Sequence, residues 1–437
     1  LVAALALVAA LAWRACCRRR RPAVYCVESA VFVPPETWRI DHKQQKNIAL
    51  AQGCYNEDSI SLMERTLDKS AIGDTAHMPP AYHRSTDGHT KGEFTMSASR
   101  EEAEAVVFPI VHEALAKSGL SPRDVDFLVV NCSLFVPTPS LCAMICNKFG
   151  FREDIRSYNL GGMGCSANVI SVDLARQLLE NQPGARALVV STEIITPNMY
   201  LGNDRSMLVQ NTLFRAGGVA LVLSSRRRDA SRAKYELVFS GRTHRSDDAS
   251  YGAVFQREDS EGHRGVALSK EIVKVAGGAL TAQFQVLGRR ILPVSEQAKA
   301  GLNLLLTLVI KKAQLAGLTD VKQPKPYVPD FSRAVQHFCI HAGGRAIIDG
   351  VQKTLGLEDH YMQASRQTLY DFGNTSSSSV WYEMEWLERF GSMRRGEKAL
   401  QITFGSGFKC NSAVWRVLRV DQSKRCVPIK SSVTPLV

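Results

Sequence analysis

A chain of 437 residues with 45% hydrophobic and 22% charged residues can bury a large core, which excludes a disordered or fibrous protein. Its formal charge of +12 points to an anionic partner, either a phosphate-bearing substrate or a membrane face. Nucleic acid is not indicated, because the basic residues are scattered outside 18–21 and 226–228 and no recognised module interleaves aromatics with them.

The chain opens with thirteen apolar residues, Leu1 to Trp13, followed by Arg14, Cys16-Cys17 and four arginines. As a helix this run covers about 20 Å, short of the ~30 Å hydrocarbon core. The positive charge follows the apolar run, so residues 1–24 read as a truncated membrane helix with a cytosolic basic flank rather than a secretory signal. The two adjacent cysteines are candidates for palmitate. From residue 25 the pattern is soluble and mixed α/β. Residues 100–118 have helical spacing, 121–124 form a turn, 125–131 read as a buried strand and 141–149 as a helix. The segment Arg156-Ser157-Tyr158-Asn159-Leu160-Gly161-Gly162-Met163-Gly164-Cys165 runs through a glycine turn into a helix over 169–179, and 187–191 and 219–223 read as strands. A basic connector, 224–232, divides an N-terminal half (25–232) from a C-terminal half (233–437).

In the second half, 235–240 and 266–268 are predicted strands and 275–290 a helix. Residues 301–310 are strongly apolar and end in Lys311-Lys312; they suit a helix dipping toward lipid near an acyl entrance, or a core helix. Residues 324–329 are a stiff proline loop. A strand over 334–340 runs into His341, with a helix over 346–355. Gly373-Asn374-Thr375 and four serines precede a helix over 380–390, an arrangement suited to N-capping. Strands over 400–404 and 413–420 close the pattern, the first ending at Gly405-Ser406-Gly407. Repeated helix-then-strand units imply a sheet covered on both faces. Each half carries a reactive or glycine-rich group just after a strand, so two halves facing one another would bring those loops together.

Eleven cysteines without zinc-type spacing indicate reduced thiols, no disulfide framework and no metal. Cys165 itself leaves three readings open. At the mouth of a helix, the dipole lowers a thiol pKa and favours a nucleophilic thiolate. A buried structural cysteine is the plain alternative. Gly162-x-Gly164-x-x-Ala167 also fits a loose dinucleotide fingerprint, with Glu193 about where an acidic ribose ligand would lie.

The Cys165 turn, His341-Ala342-Gly343-Gly344 and Asp371-Phe372-Gly373-Asn374 supply a cysteine, a histidine and an asparagine, each followed by small residues and a helical pattern. In that order, together with Asn211-Thr212-Leu213-Phe214-Arg215-Ala216-Gly217-Gly218 and the run from Gly405 to Trp415, the chain resembles the thiolase superfamily. Within it the chain is similar to the plant-type 3-ketoacyl-CoA synthases, from about residue 40 to Trp415. That resemblance displaces the dinucleotide reading.

It implies an α/β thiolase-like fold, two similar halves packed as a layered αβαβα core. It also implies an acyltransferase that condenses malonyl-CoA, with loss of carbon dioxide, onto a long-chain acyl group held on Cys165, extending very-long-chain fatty acids by two carbons. His341 and Asn374 would donate hydrogen bonds to the enolate. His337 and His244 match family histidines and would support the site. Gly405, Ser406 and Gly407 would offer backbone N–H groups to a thioester carbonyl, and Cys339 and Cys410 match family cysteines of a buried, structural kind. The resemblance implies no cofactor beyond the acyl-CoA and malonyl-CoA substrates. It implies a homodimer at the endoplasmic reticulum membrane with the catalytic body facing the cytosol, working beside a ketoacyl reductase, a dehydratase and an enoyl reductase. Thr212 and Tyr370 stand where the family often has cysteine and histidine, and 27–39 departs from its pattern. A type III polyketide synthase-like condensing enzyme and a catalytically silent acyl-CoA-binding elongase scaffold are the alternatives; the intact triad argues against the second.

Overall fold

The computed structural model describes residues 22–74 and 76–429. The apolar run and arginines read as a membrane helix with its flank lie outside the described residues. Eleven strands are found among the described residues: β1 (Tyr25–Val31), β2 (Phe127–Asn131), β3 (Arg156–Leu160), β4 (Arg186–Glu193), β5 (Gly217–Ser224), β6 (Tyr235–His244), β7 (Val254–Glu258), β8 (Arg264–Leu268), β9 (His337–Ile340), β10 (Lys398–Gly405) and β11 (Lys409–Val417). Nine form one mixed sheet in the order β3-β2-β4-β5-β1-β6-β11-β10-β9, and β7–β8 form a separate hairpin.

Seven helices build the layers, α1 (Met96–Ser118), α2 (Leu141–Phe149), α3 (Ala167–Asn181), α4 (Ile272–Ile291), α6 (Arg345–Leu355), α7 (Gln363–Phe372) and α8 (Ser379–Phe390), while α5 (Val294–Leu315) stands outside them. Side-chain alternation along the strands separates the layers. Leu128, Val130, Leu188, Val190 and Ala220 face Val106, Ile110 and Val111 of α1 and Leu141 and Ile145 of α2. The alternate residues, among them Phe127, Val129, Val189 and Leu221, pack on α3 and α8, whose other side meets Cys339, Ala399, Ala413 and Trp415 of the second half-sheet. The outer face of that half-sheet, with Phe338, Ile340, Leu400 and Ile402, packs on Leu280 and Phe284 of α4 and on Ile348 and Val351 of α6. The result is the expected order α-β-α-β-α, with α3 and α8 sandwiched and buried on nearly every side.

β1 is the join. It runs antiparallel to β5 along its length but meets β6 only through Tyr25↔Glu236 and Cys26↔Tyr235. The sequence pattern gave no strand there, because a bulge between Cys26 and Glu28 breaks the two-residue alternation. β11 ends at Val417, short of the predicted 420. Of the two readings of 301–310, the core helix is wrong: within α5 only Glu296 is buried, and Leu304, Leu305 and Leu308 are each more than half exposed. None of its residues lines the main cavity.

Candidate active site

Strand ends deliver the site. β3 stops at Leu160, and Gly162 and Gly164 turn the chain with φ of +66° and +65° into a short 3-10 turn, Gly164–Ser166, that carries Cys165 into α3. A side chain is excluded at Gly164 on two counts, its left-handed backbone and a Cβ that would lie 2.6 Å from the Ser406 nitrogen. Gly405 reciprocates: a Cβ there would strike the Ser166 hydroxyl and the Met163 carbonyl. The cysteine turn and the 405–407 loop therefore interlock. β9 stops at Ile340, and the His341 N–H donates to the Ile402 carbonyl, 2.9 Å away. Asn374 is locked against the chain at 213–215, its N–H donating to Leu213 O at 3.1 Å and its carbonyl accepting from Arg215 N at 2.9 Å.

Cys165, His341 and Asn374 thereby line one cavity of about 460 Å³. Glu193, Phe214, His244 and Ser376 share its wall with Gly405, Ser406 and Gly407, and its apolar part is made by Val254, Phe255, Val266, Leu268, Ile272 and Ile347. His341 Nδ1 is 2.7 Å from the Ser379 hydroxyl, which leaves Nε2 without a protein partner among the described residues. Burial pushes its pKa down to about 4, so the imidazole is neutral. Asn374 Oδ1 accepts from Ser376 N at 2.9 Å and its Nδ2 donates to Gly343 O at 3.3 Å, leaving one amide N–H over.

The thiol departs from the sequence expectation. Burial pushes Cys165 up to about 12; the Ser376 hydroxyl, 3.5 Å from Sγ, opposes this and the Glu193 carboxyl adds to it. Desolvation outweighs the helix dipole, and the resting pair is a neutral thiol and a neutral imidazole rather than a thiolate.

The other sequence-predicted residues divide. His244 lines the cavity from the end of β6. His337 does not reach it: at the opposite end of β9 from His341, its Nε2 lies 2.8 Å from Glu397. A four-residue strand spans about 13 Å, which is why sharing a side of it does not mean sharing a site. Cys339 and Cys410 are fully buried in the core. Thr212 and Tyr370 both lie away from the cavity; Thr212 is buried with its hydroxyl on Val209 O, and the Tyr370 ring packs under Gly73. The described cysteines are all free thiols.

The serine run was misread. Ser378 caps α8 without a side-chain bond, and its hydroxyl donates to Thr375 O. The serines instead fasten the site. Ser376, held at the strained φ of +55°, bridges Cys165 and Glu193; Ser377 donates to Asn131; Ser379 holds His341. Glu193 accepts from the Ser133 and Leu134 N–H groups at 3.0 and 2.8 Å, and burial raises its pKa. The available signal was an acidic residue closing the apolar strand Ala187-Leu188-Val189-Val190-Ser191-Thr192-Glu193, where a solvent-free carboxyl needs a purpose.

Comparison with known proteins gives the family. The family described as FAE1/Type III polyketide synthase-like protein matches residues 15–313, and the C-terminal domain of chalcone and stilbene synthases matches 332–419. Among curated proteins, 3-ketoacyl-CoA synthase 2 of Arabidopsis thaliana is 48% identical over 406 residues, covering 92% of this chain and 73% of that protein. 3-Ketoacyl-CoA synthase 6 of the same plant is 47% identical, covering 93% and 79%. The chain belongs to the 3-ketoacyl-CoA synthase family. Its first matched segment contains Cys165 and its second contains His341 and Asn374, so the family match spans the whole triad. Solved structures share the fold at low identity. The type III polyketide synthase domain of Steely1 from Dictyostelium superposes with a TM-score of 0.68 at 20% identity, covering 91% of this chain and all of that one. CsyB complexed with CoA-SH gives 0.67 at 21%, covering 90% of this chain and all of that one.

Proposed function

We propose that the chain is a very-long-chain 3-ketoacyl-CoA synthase, and the observation that carries this is the convergence of Cys165, His341 and Asn374 on one cavity with a long apolar wall. In this scheme the Cys165 sulfur attacks the thioester carbonyl of an acyl-CoA as His341 Nε2 takes its proton. The carbon–sulfur bond to CoA breaks, the proton passes to the departing CoA thiolate, and the acyl group rests on Cys165. Malonyl-CoA then loses carbon dioxide, and the charge that develops on its thioester oxygen is met by His341 Nε2–H and the spare Asn374 amide N–H. Between loading and decarboxylation the neutral imidazole exchanges its proton from Nδ1 to Nε2, with Ser379 turning from acceptor to donor. The enolate carbon attacks the Cys165 thioester, and the carbon–sulfur bond to Cys165 breaks to give a product two carbons longer. The sulfur leaves as a thiolate that takes up one proton from solvent to restore the resting thiol. Gly405, Ser406 and Gly407 line the same cavity, and their backbone N–H groups would serve the acyl carbonyl. Val254, Phe255, Val266 and Leu268 suit an alkyl chain. No step in the scheme requires a metal or further cofactor.

The same reading makes the enzyme a homodimer at the endoplasmic reticulum membrane, its body in the cytosol, handing product to a ketoacyl reductase, dehydratase and enoyl reductase; the apolar N-terminal sequence and the +12 charge support it. Radiolabelled malonyl-CoA incorporation by microsomes expressing the chain tests the activity. Cys165→Ser loses acyl loading and elongation, and wild-type elongation by that variant would sink the assignment. Asn374→Ala still loads acyl from acyl-CoA but elongates about 10²- to 10³-fold more slowly.

A further inference from the structure

Among the described residues, the largest concentration of exposed apolar side chains is on α5 and the loop after it, and none of these residues lines the cavity. Leu304 is 60% exposed and Leu315 81%, and Leu302, Leu305, Leu306, Leu308, Val309, Leu318 and Val321 are nearly as open. We propose that α5 is an interfacial helix that seats itself in an anionic membrane leaflet, a contact independent of the N-terminal segment and of the condensing reaction. Three features choose a lipid surface over a protein partner. At 100° per residue, the six exposed side chains between Leu302 and Val309 occupy about 200° of the helix circumference, wider than the stripe a single packed helix or groove covers and suited to immersion in a fluid apolar phase. The remaining arc is already used: Asn303 donates to Lys325 O and accepts from Tyr327 N, and Thr307 donates to Asn303 O.

The charges fit as well. Eleven uncharged residues, 300–310, lie between Lys299 and Lys311, about 16 Å of helix, half of a ~30 Å hydrocarbon core. No described helix is long and apolar enough to cross a membrane, so such a stretch dips into one leaflet. Lys311, Lys312, Lys322 and Lys325 surround it, exposed and without an ion-pair partner among the described residues, placed where lipid phosphates and serine carboxylates would lie.

The test replaces Leu305 or Leu308 with the photocrosslinker p-benzoylphenylalanine in the full chain, on vesicles of phosphatidylcholine with phosphatidylserine. Met96, equally exposed but remote in sequence, serves as the control position. Lipid adducts identified by mass at 305 and 308 and not at 96 support the proposal. Lys311→Gln with Lys312→Gln then lowers their yield about fivefold or more. Adducts to residues 1–21, to a second copy, or no lipid adduct above the control would overturn it. Equal yields on pure phosphatidylcholine would overturn its anionic part.

Discussion

Cys165 keeps its proton at neutral pH because burial removes the water that would solvate a thiolate, and Glu193 beside it adds repulsion. Iodoacetamide inactivation is therefore expected to be slow at pH 7 and to keep accelerating, about tenfold per pH unit, through pH 10; a plateau near pH 8 would mean a standing thiolate. His341 gives the opposite sign. Its pKa is lowered to about 4, so the lone pair that takes the thiol proton is present above that pH and is lost only as pH falls through it. Acyl loading, measured by mass shift, should be flat from about pH 5 to 8, with no break near the ordinary histidine value of about 6.5. Ser379 decides which nitrogen carries the proton, since one hydroxyl can accept from Nδ1–H or donate to Nδ1. The scheme uses Nε2 as an acceptor during loading and as a donor during decarboxylation, so Ser379 is a positioning residue for both. Ser379→Ala is expected to lower kcat about 5- to 100-fold with KM little changed, and Ser379→Thr to restore most of it.

At the scale of elements, the site depends on two turns that interlock because both lack side chains. Gly164→Ala puts a methyl against the Ser406 nitrogen and forces an alanine into φ +65°. The backbone alone costs about 1–2 kcal/mol, and displacement of the 405–407 loop should reduce elongation more than tenfold with a lowered Tm. These turns were visible as glycine punctuation, and the long elements α1, α2, α6 and β4 were legible from periodicity, which depends on local pattern alone. β1 and the serine run were not. A bulge hides the first, and the serines resemble caps until α8 is seen buried between two half-sheets, where every hydroxyl must find a partner. His337 was misplaced for the same kind of reason: side-chain direction was readable, distance along the strand and the Glu397 partner were not.

Across the whole molecule, the sandwiched α8 is pinned by charge as well as by packing. Lys234 is buried with its Nζ 2.5 Å from Glu388 and 3.8 Å from Glu28. Burial works against its charge, yet Glu388 and Glu385 hold its pKa above the usual lysine value. Lys234→Met removes the nearest cation of buried Glu388, leaving it only Lys424 at 3.9 Å among the described residues, and urea unfolding should show a loss of about 3 kcal/mol. The amino-acid sequence by itself determined the glycine turns and the alternating elements, because turn chemistry and hydrophobic period are properties of short stretches, while Cys165, His341 and Asn374 were singled out by the family resemblance that their ordered motifs carry. Only the tertiary structure decided the thiol's protonation, the roles of Glu193, Ser376 and Ser379, and the exposure of α5, because solvation and hydrogen-bond partnership depend on which distant segments close over a residue.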